Sequence, residues 1–121
     1  LTGDRPIYLQ LMEQIQVEIV AGRYPPGSRL PSVRELAAQA AVNPNTMQKA
    51  LAELESSGLV SSQRTSGRMI TEDRAMIEEL KLRLAREQAG EFLEKMENLG
   101  FGREETLGLI RQVIEKEEAK G

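Results

Sequence analysis

Between Asn43 and Lys49 the chain reads Asn-Pro-Asn-Thr-Met-Gln-Lys, a run of amides, a hydroxyl and an ammonium with no carboxylate. A carboxamide presents a donor beside an acceptor, the pattern that pairs bidentately with the major-groove edge of adenine. Asn45 and Gln48 have that chemistry. Lys49 can reach guanine or phosphate, and Thr46 suits a phosphate oxygen or a thymine methyl. Asn43, at the start of the run, can donate to a phosphate together with the amides of a helix N-terminus. Glu53 and Glu55 follow only later, which matters because a carboxylate close to phosphates is repelled. Outside the run, Arg34 could reach the same groove or its backbone. Arg64 and Arg68 could touch phosphates or a minor groove, with Gly67 allowing close approach of the main chain.

Bond-breaking chemistry has little to work with. The chain has neither cysteine nor histidine, which removes disulfides, thiolate metal sites and the commonest general base. Adjacent acids remain at Glu78/Glu79, Glu104/Glu105 and Glu117/Glu118. Neighbours on a helix point about 100° apart, so these pairs are read as solvated charge. No enzyme activity, metal or cofactor is expected.

The elements that would carry the polar run are readable from periodicity. Ile7, Leu11, Ile15 and Ile19 recur at helical spacing, with Asp4 and Pro6 as start signals and Gly22 as a stop. Tyr24-Pro25-Pro26-Gly27-Ser28 must turn. Ser32 with Glu35 has the capping-box form and opens a short helix with Val33, Leu36, Ala37 and Ala40 on one face, ending near Ala41-Val42. Asn43 caps the next helix and Pro44 fits its first turn; Met47, Ala50, Leu51 and Leu54 face inward and Gly58 closes it. Leu59-Val60 and Arg68-Met69-Ile70 flank a polar stretch, which reads as a hairpin with Gly67 in the turn. A long helix is expected from Thr71 or Glu72 to Leu99, with Gly90 a place for a bend. Leu99-Gly100-Phe101-Gly102 breaks it, and a last helix runs from about Glu104 to Lys120.

Two short helices joined by a tight turn and followed by a hairpin make a winged helix-turn-helix, whose second helix fits a major groove. The expected fold is mainly α with a small β-hairpin. Residues 1–71 form an N-terminal winged helix-turn-helix for DNA, and residues 72–121 a short all-helical dimerisation tail. Only 3% of residues are aromatic against 40% hydrophobic, so the core rests on aliphatic side chains, which suits helix-on-helix packing.

The net charge of −3 argues against nucleic acid until it is divided. Residues 1–70 hold seven basic and six acidic side chains, and residues 71–121 nine basic and thirteen acidic. The acidic half should lie away from DNA. It also carries an apolar series, Met76, Leu80, Leu84, Phe92, Met96 and Leu99, then Leu107, Ile110, Val113 and Ile114. The series is too long for the head alone to cover, so a homodimer is expected. Such a dimer would read an inverted repeat with half-sites about one helical turn apart.

Three stretches then match a known family. Pro26-Gly27-Ser28-Arg29-Leu30-Pro31-Ser32-Val33-Arg34-Glu35-Leu36-Ala37, Val42 through Ala50, and Leu54 through Val60 resemble the GntR family of bacterial transcription regulators. Pro6-Ile7-Tyr8-Leu9-Gln10 and the 43–49 run resemble its YtrA-like subgroup. The resemblance implies a short helical dimerisation tail in place of a large effector domain. It implies DNA contacts at Arg34, Asn43, Asn45, Thr46, Gln48, Lys49 and the wing around Gly67. The wing departs from the pattern, having one glycine where relatives are glycine-rich.

The expected activity is repression by occupying promoter DNA, in the cytoplasm. No secretory leader is visible at Leu1, and the absence of an initial Met suggests missing residues. No apolar run approaches the roughly 20 residues of a membrane helix. A small-molecule effector is left open, in the tail or near Thr71-Glu72, with no convergent polar cluster to mark its pocket. The rival reading is a winged-helix protein-protein adaptor that does not bind DNA.

Overall fold

A computed structural model describes residues 5–120. The order of elements is α1 (Ile7–Val20), α2 (Val33–Ala40), α3 (Pro44–Ser56), β1 (Val60–Gln63), β2 (Gly67–Ile70), α4 (Arg74–Asn98) and α5 (Arg103–Lys120). The chain is mostly helical with one small antiparallel sheet, as the hydrophobic spacing requires. It parts into two compact units between Leu82 and Arg83.

In the first unit α1 and α2 both pack on α3, and α3 packs on β1. Leu11, Ile15 and Ile19 of α1 are buried with Leu36 and Ala37 of α2 and with Met47, Ala50, Leu51 and Leu54 of α3. Leu30, Leu59, Val60 and Ile70 complete this core. Leu51 is fully enclosed; truncating such a side chain to alanine costs about 2–5 kcal/mol.

The helix ends follow local chemistry. Pro6 occupies the cap position of α1; Asp4, the other expected start signal, lies outside the described residues. The Ser32 hydroxyl accepts from the Glu35 amide at 3.2 Å, and Glu35 Oε1 accepts from the Ser32 amide at 3.4 Å, closing a full capping box on α2. Asn43 Oδ1 accepts from the Asn45 amide at 2.8 Å, and Pro44 supplies the first turn of α3. After α3, Gly58 turns the chain at φ +88°, a backbone region that a side chain disfavours. The Ser57 hydroxyl donates to the Leu54 carbonyl at 2.7 Å and accepts from the Leu59 amide at 3.4 Å.

α4 starts later than the sequence suggests, at Arg74. Asp73 wins the competition to cap it. Its Oδ1 accepts from the Met76 amide at 3.1 Å, while Thr71 is spent one step earlier, accepting from the Asp73 amide at 3.1 Å. The helix continues through Gly90 without interruption.

β1 and β2 pair with Val60 opposite Ile70 and Gln63 opposite Gly67. The far edge of β2 is also occupied. Arg29 bridges Met69, the Leu30 amide donates to the Arg68 carbonyl at 2.9 Å, and the Ile70 amide donates to the Ser28 carbonyl at 2.8 Å. Residues 28–30 therefore cover the outer edge of the two-stranded sheet through an isolated bridge.

The second unit holds the rest of α4 and α5. At the break, the Gly100 amide donates to the Glu97 carbonyl at 2.9 Å and the Phe101 amide to the Met96 carbonyl at 3.0 Å, a Schellman closure. Glu105 Oε1 accepts from the Gly102 amide at 3.0 Å to start α5. Leu84, Met96 and Thr106 are buried, whereas Phe92, Leu99, Leu107, Val113 and Ile114 are exposed, Leu99 by 71%. Leu80, in the first unit, is buried and Met76 is half-buried; Ile110 is half-buried too. Leu82, absent from the expected apolar series, is another exposed leucine.

Candidate nucleic-acid interface

α3 is two-sided. Met47, Ala50, Leu51 and Leu54 are buried, while Asn45, Gln48 and Lys49 are exposed. These three stand at i, i+3 and i+4, hence on one face of the helix. Thr46 lies at the margin, half-buried, and Asn43 is exposed at the helix start. The carboxamide oxygen of Asn43 is committed to capping, so what it can offer a ligand is its amide donors. Burial of the aliphatic stripe fixes which side chains face outward.

The turn between α2 and α3 is set by Ala41, at φ 56° and ψ 47°. This is a left-handed conformation in a residue with a Cβ, which costs roughly 1–2 kcal/mol. The Ala41 amide bonds back to Ala38 and the Val42 amide to Ala37 at 3.0 Å, which holds the turn. Arg34, second residue of α2, is exposed at the opposite end of that helix.

Lys49 has a partner inside the chain. Its Nζ lies 4.1 Å from the centroid of the Tyr8 ring on α1, within range of a cation-π attraction. The aromatic face holds the ammonium without neutralising it, so the charge remains available to an anion.

The wing is tied to α3 by one carboxylate. Glu55 Oε1 accepts from Arg68 Nε at 2.5 Å and from the Ser62 hydroxyl at 2.5 Å. The Ser62 hydrogen bond, then the hydrogen bond and charge of Arg68, hold the Glu55 carboxyl below the usual carboxylate range, against the opposing effect of burial. The arrangement answers the electrostatic problem of an acid on the recognition helix, because Arg68 and Ser62 bridge it to the sheet. It also means that the Arg68 guanidinium is engaged, with 19% of the side chain exposed. Arg64, in the loop before Gly67, is exposed.

Gly67 sits at φ +77°, and a Cβ there would come into van der Waals contact with the Arg29 guanidinium, whose Nε is 3.4 Å away. Arg29 and Arg34 border a cleft of 420 Å³ between the start of α2 and the wing, with Ser32, Ser62 and Gly67 among its other walls. Sequence reasoning missed Arg29 as a candidate, along with the internal partners Tyr8 and Glu55. The expected set therefore divides in space: Asn43, Asn45, Thr46, Gln48 and Lys49 on α3, Arg34 on α2, and Arg64, Gly67 and Arg68 on the hairpin.

Residues 7–70 match the family of bacterial regulatory proteins called gntR. The chain is 42% identical over 113 residues to an HTH-type transcriptional regulator of Bacillus subtilis, YhcF, covering 93% of each. It is 39% identical over 87 residues to the transcriptional repressor YtrA of the same organism, covering 71% of this chain and 67% of that one. Among solved structures, a GntR family regulator from Listeria monocytogenes superposes with a TM-score of 0.82 at 38% identity, over 93% of this chain and 98% of that one. The DNA-binding domain of AraR, solved in complex with an operator, superposes with a TM-score of 0.55 at 30% identity over 59% of this chain and 92% of that one. The matched residues contain α1, α2, α3 and both strands, the elements from which the interface is built. This chain belongs to the GntR family and is a DNA-binding transcriptional regulator with a winged helix-turn-helix reader.

Proposed function

We propose that the protein is a repressor that binds an inverted-repeat operator as a homodimer in the cytoplasm. Residues 1–71 read the DNA and residues 72–121 pair the chains. The observation that carries the reading is the acid-free amide face of α3, with Asn45, Gln48 and Lys49 exposed opposite a buried aliphatic stripe. Asn45 and Gln48 address adenine, Lys49 guanine or phosphate, Thr46 a phosphate or thymine methyl, and Asn43 a phosphate. Arg34 approaches the same groove, and the wing, through Arg64 and Gly67, lies along the backbone or minor groove, with Arg68 holding it to Glu55. YtrA, which is named a repressor, supports the sign of the effect.

The dimer is supported by what a single chain leaves uncovered. Phe92, Leu99, Leu107, Val113 and Ile114 are large, apolar and exposed, and a second copy would cover them. One reader alone buries less than the 1,000 Å2 or so of protein surface usual for specific sites, and two half-sites make up the difference. A small effector acting on the 72–121 region would change the spacing of the readers.

Selection of bound sequences from random DNA tests the reading, followed by gel shifts of the winning duplex across salt. An inverted repeat with half-sites about one helical turn apart is expected, with affinity falling steeply as salt rises. Failure to enrich any sequence would overturn it and favour a protein-protein adaptor.

A further inference from the structure

We propose that Arg29, together with Arg34, seats one phosphodiester of the bound duplex in the cleft between the start of α2 and the wing. The proposal rests on the DNA-binding reading and adds to it a contact and its chemical class.

Three observations converge. The 420 Å³ cleft is walled by Arg29, Arg34, Ser32, Ser62 and Gly67, and no carboxylate lines it among the described residues. The third cation at its edge, Arg68, is committed to Glu55. Arg29 and Arg34 have no ion pair with a carboxylate among the described residues. The charge that fills the cleft is thus unbalanced and positive. The third observation is placement. The Arg29 backbone is held by its bridge to Met69, and its guanidinium packs beside Gly67, at van der Waals distance from where a Cβ there would stand. The arginine is thereby kept on the wall of the cleft. A planar guanidinium with several donors matches the oxygens of a phosphodiester. The Ser32 hydroxyl, which accepts from the Glu35 amide, keeps its own proton and adds a neutral donor.

A phosphate contact has a signature that a base contact lacks. It weakens binding to every sequence alike and lowers the salt dependence. The test measures binding of the full chain to two labelled duplexes, one of random sequence and one selected from a random library, across a salt titration. Arg29→Ala is expected to reduce the slope of log affinity against log salt by about 0.9 for each chain bound, and to weaken both duplexes by the same factor. Arg29→Gln, which keeps a polar side chain and removes the charge, should lose the same slope, and Arg29→Lys should restore most of it. Unaltered melting temperatures show that the variants fold. An unchanged slope in the alanine and glutamine variants overturns the proposal, as does a loss confined to the selected duplex, while wild-type binding stays intact. Absence of salt-dependent binding by the wild type would instead overturn the DNA-binding reading itself.

Discussion

Arg68 Nε stands 2.5 Å from Glu55 Oε1 and joins β2 to the last turn of α3. Ser62, one strand over, donates to the same oxygen. The wing and the recognition helix are thereby set relative to each other by one carboxylate.

That junction should be sensitive to acid. The folded-state affinity of Glu55 for a proton is depressed, so its stabilisation is complete above the ordinary carboxylate range and is lost as pH falls through the folded value. Glu55→Gln is expected to cost about 1 kcal/mol near neutrality and progressively less at a pH well below the ordinary carboxylate range, as the wild-type carboxyl takes up its proton. Denaturant melts at the two pH values check this. An equal penalty at both would show that charge is not what binds the wing.

Specific recognition should fall away without loss of fold when the outward side chains are shortened. Gln48→Ala is expected to weaken binding to a selected operator by about 1–3 kcal/mol through a lost base contact, and Arg34→Ala to weaken it through a lost phosphate contact. Both residues are exposed, so thermal melts and self-association should match the wild type. Unchanged affinity in both would misplace the reading face.

Ala41 offers the opposite case, a gain. Its left-handed backbone is one glycine adopts freely. Ala41→Gly is expected to stabilise the protein by about 1 kcal/mol, read as a higher melting temperature, while Ala41→Val should lower it.

Self-association can be attacked without touching the reader. Leu107 and Ile114 are each about half exposed, both at 50%, and lie seven apart on α5, on one side of the helix. The pair of substitutions Leu107→Glu and Ile114→Glu should leave helicity intact and yield a 13.5 kDa particle by light scattering. A mixture still dimeric at micromolar concentration would exclude this face as the interface.

Gly90 gives a further control on α4. A Cβ there would meet nothing within 4 Å, and glycine inside a helix costs roughly 1 kcal/mol relative to alanine. Gly90→Ala should raise the melting temperature. If dimerisation weakens instead, a second copy approaches α4 at that point.

What could be read in the residues was what depends on near neighbours. The Ser32–Glu35 box, the Asn43 cap with Pro44, and the turn at Gly58 each involve groups within a few positions, so the types and spacing are enough. The buried stripe Met47, Ala50, Leu51 and Leu54 followed from period alone, and with it the outward face of α3. The start of α4 was displaced because Thr71, Glu72 and Asp73 can all begin a helix, and only the hydrogen bonds decide among them. The contacts that tie separate elements together were out of reach. Lys49 over Tyr8 requires the packing of α3 on α1, and Arg68 on Glu55 requires the angle between helix and hairpin. Arg29 was hidden for a related reason: the prolines and glycine before it announce a turn but do not say which strand the chain meets next.

Residues 28–30 close the outer edge of β2, so the wing is not a bare hairpin of the kind that is barely stable alone. Its base has become part of the cooperative core. Amide protons at Leu30 and Ile70, both hydrogen-bonded across this seam, should exchange with solvent only when the whole first unit opens, while those of residues 64–66 exchange quickly. A surface assembled in advance surrenders little conformational freedom on meeting a ligand. The short bridge at Arg29 thereby shifts an ordering cost from the moment of encounter to the moment of folding.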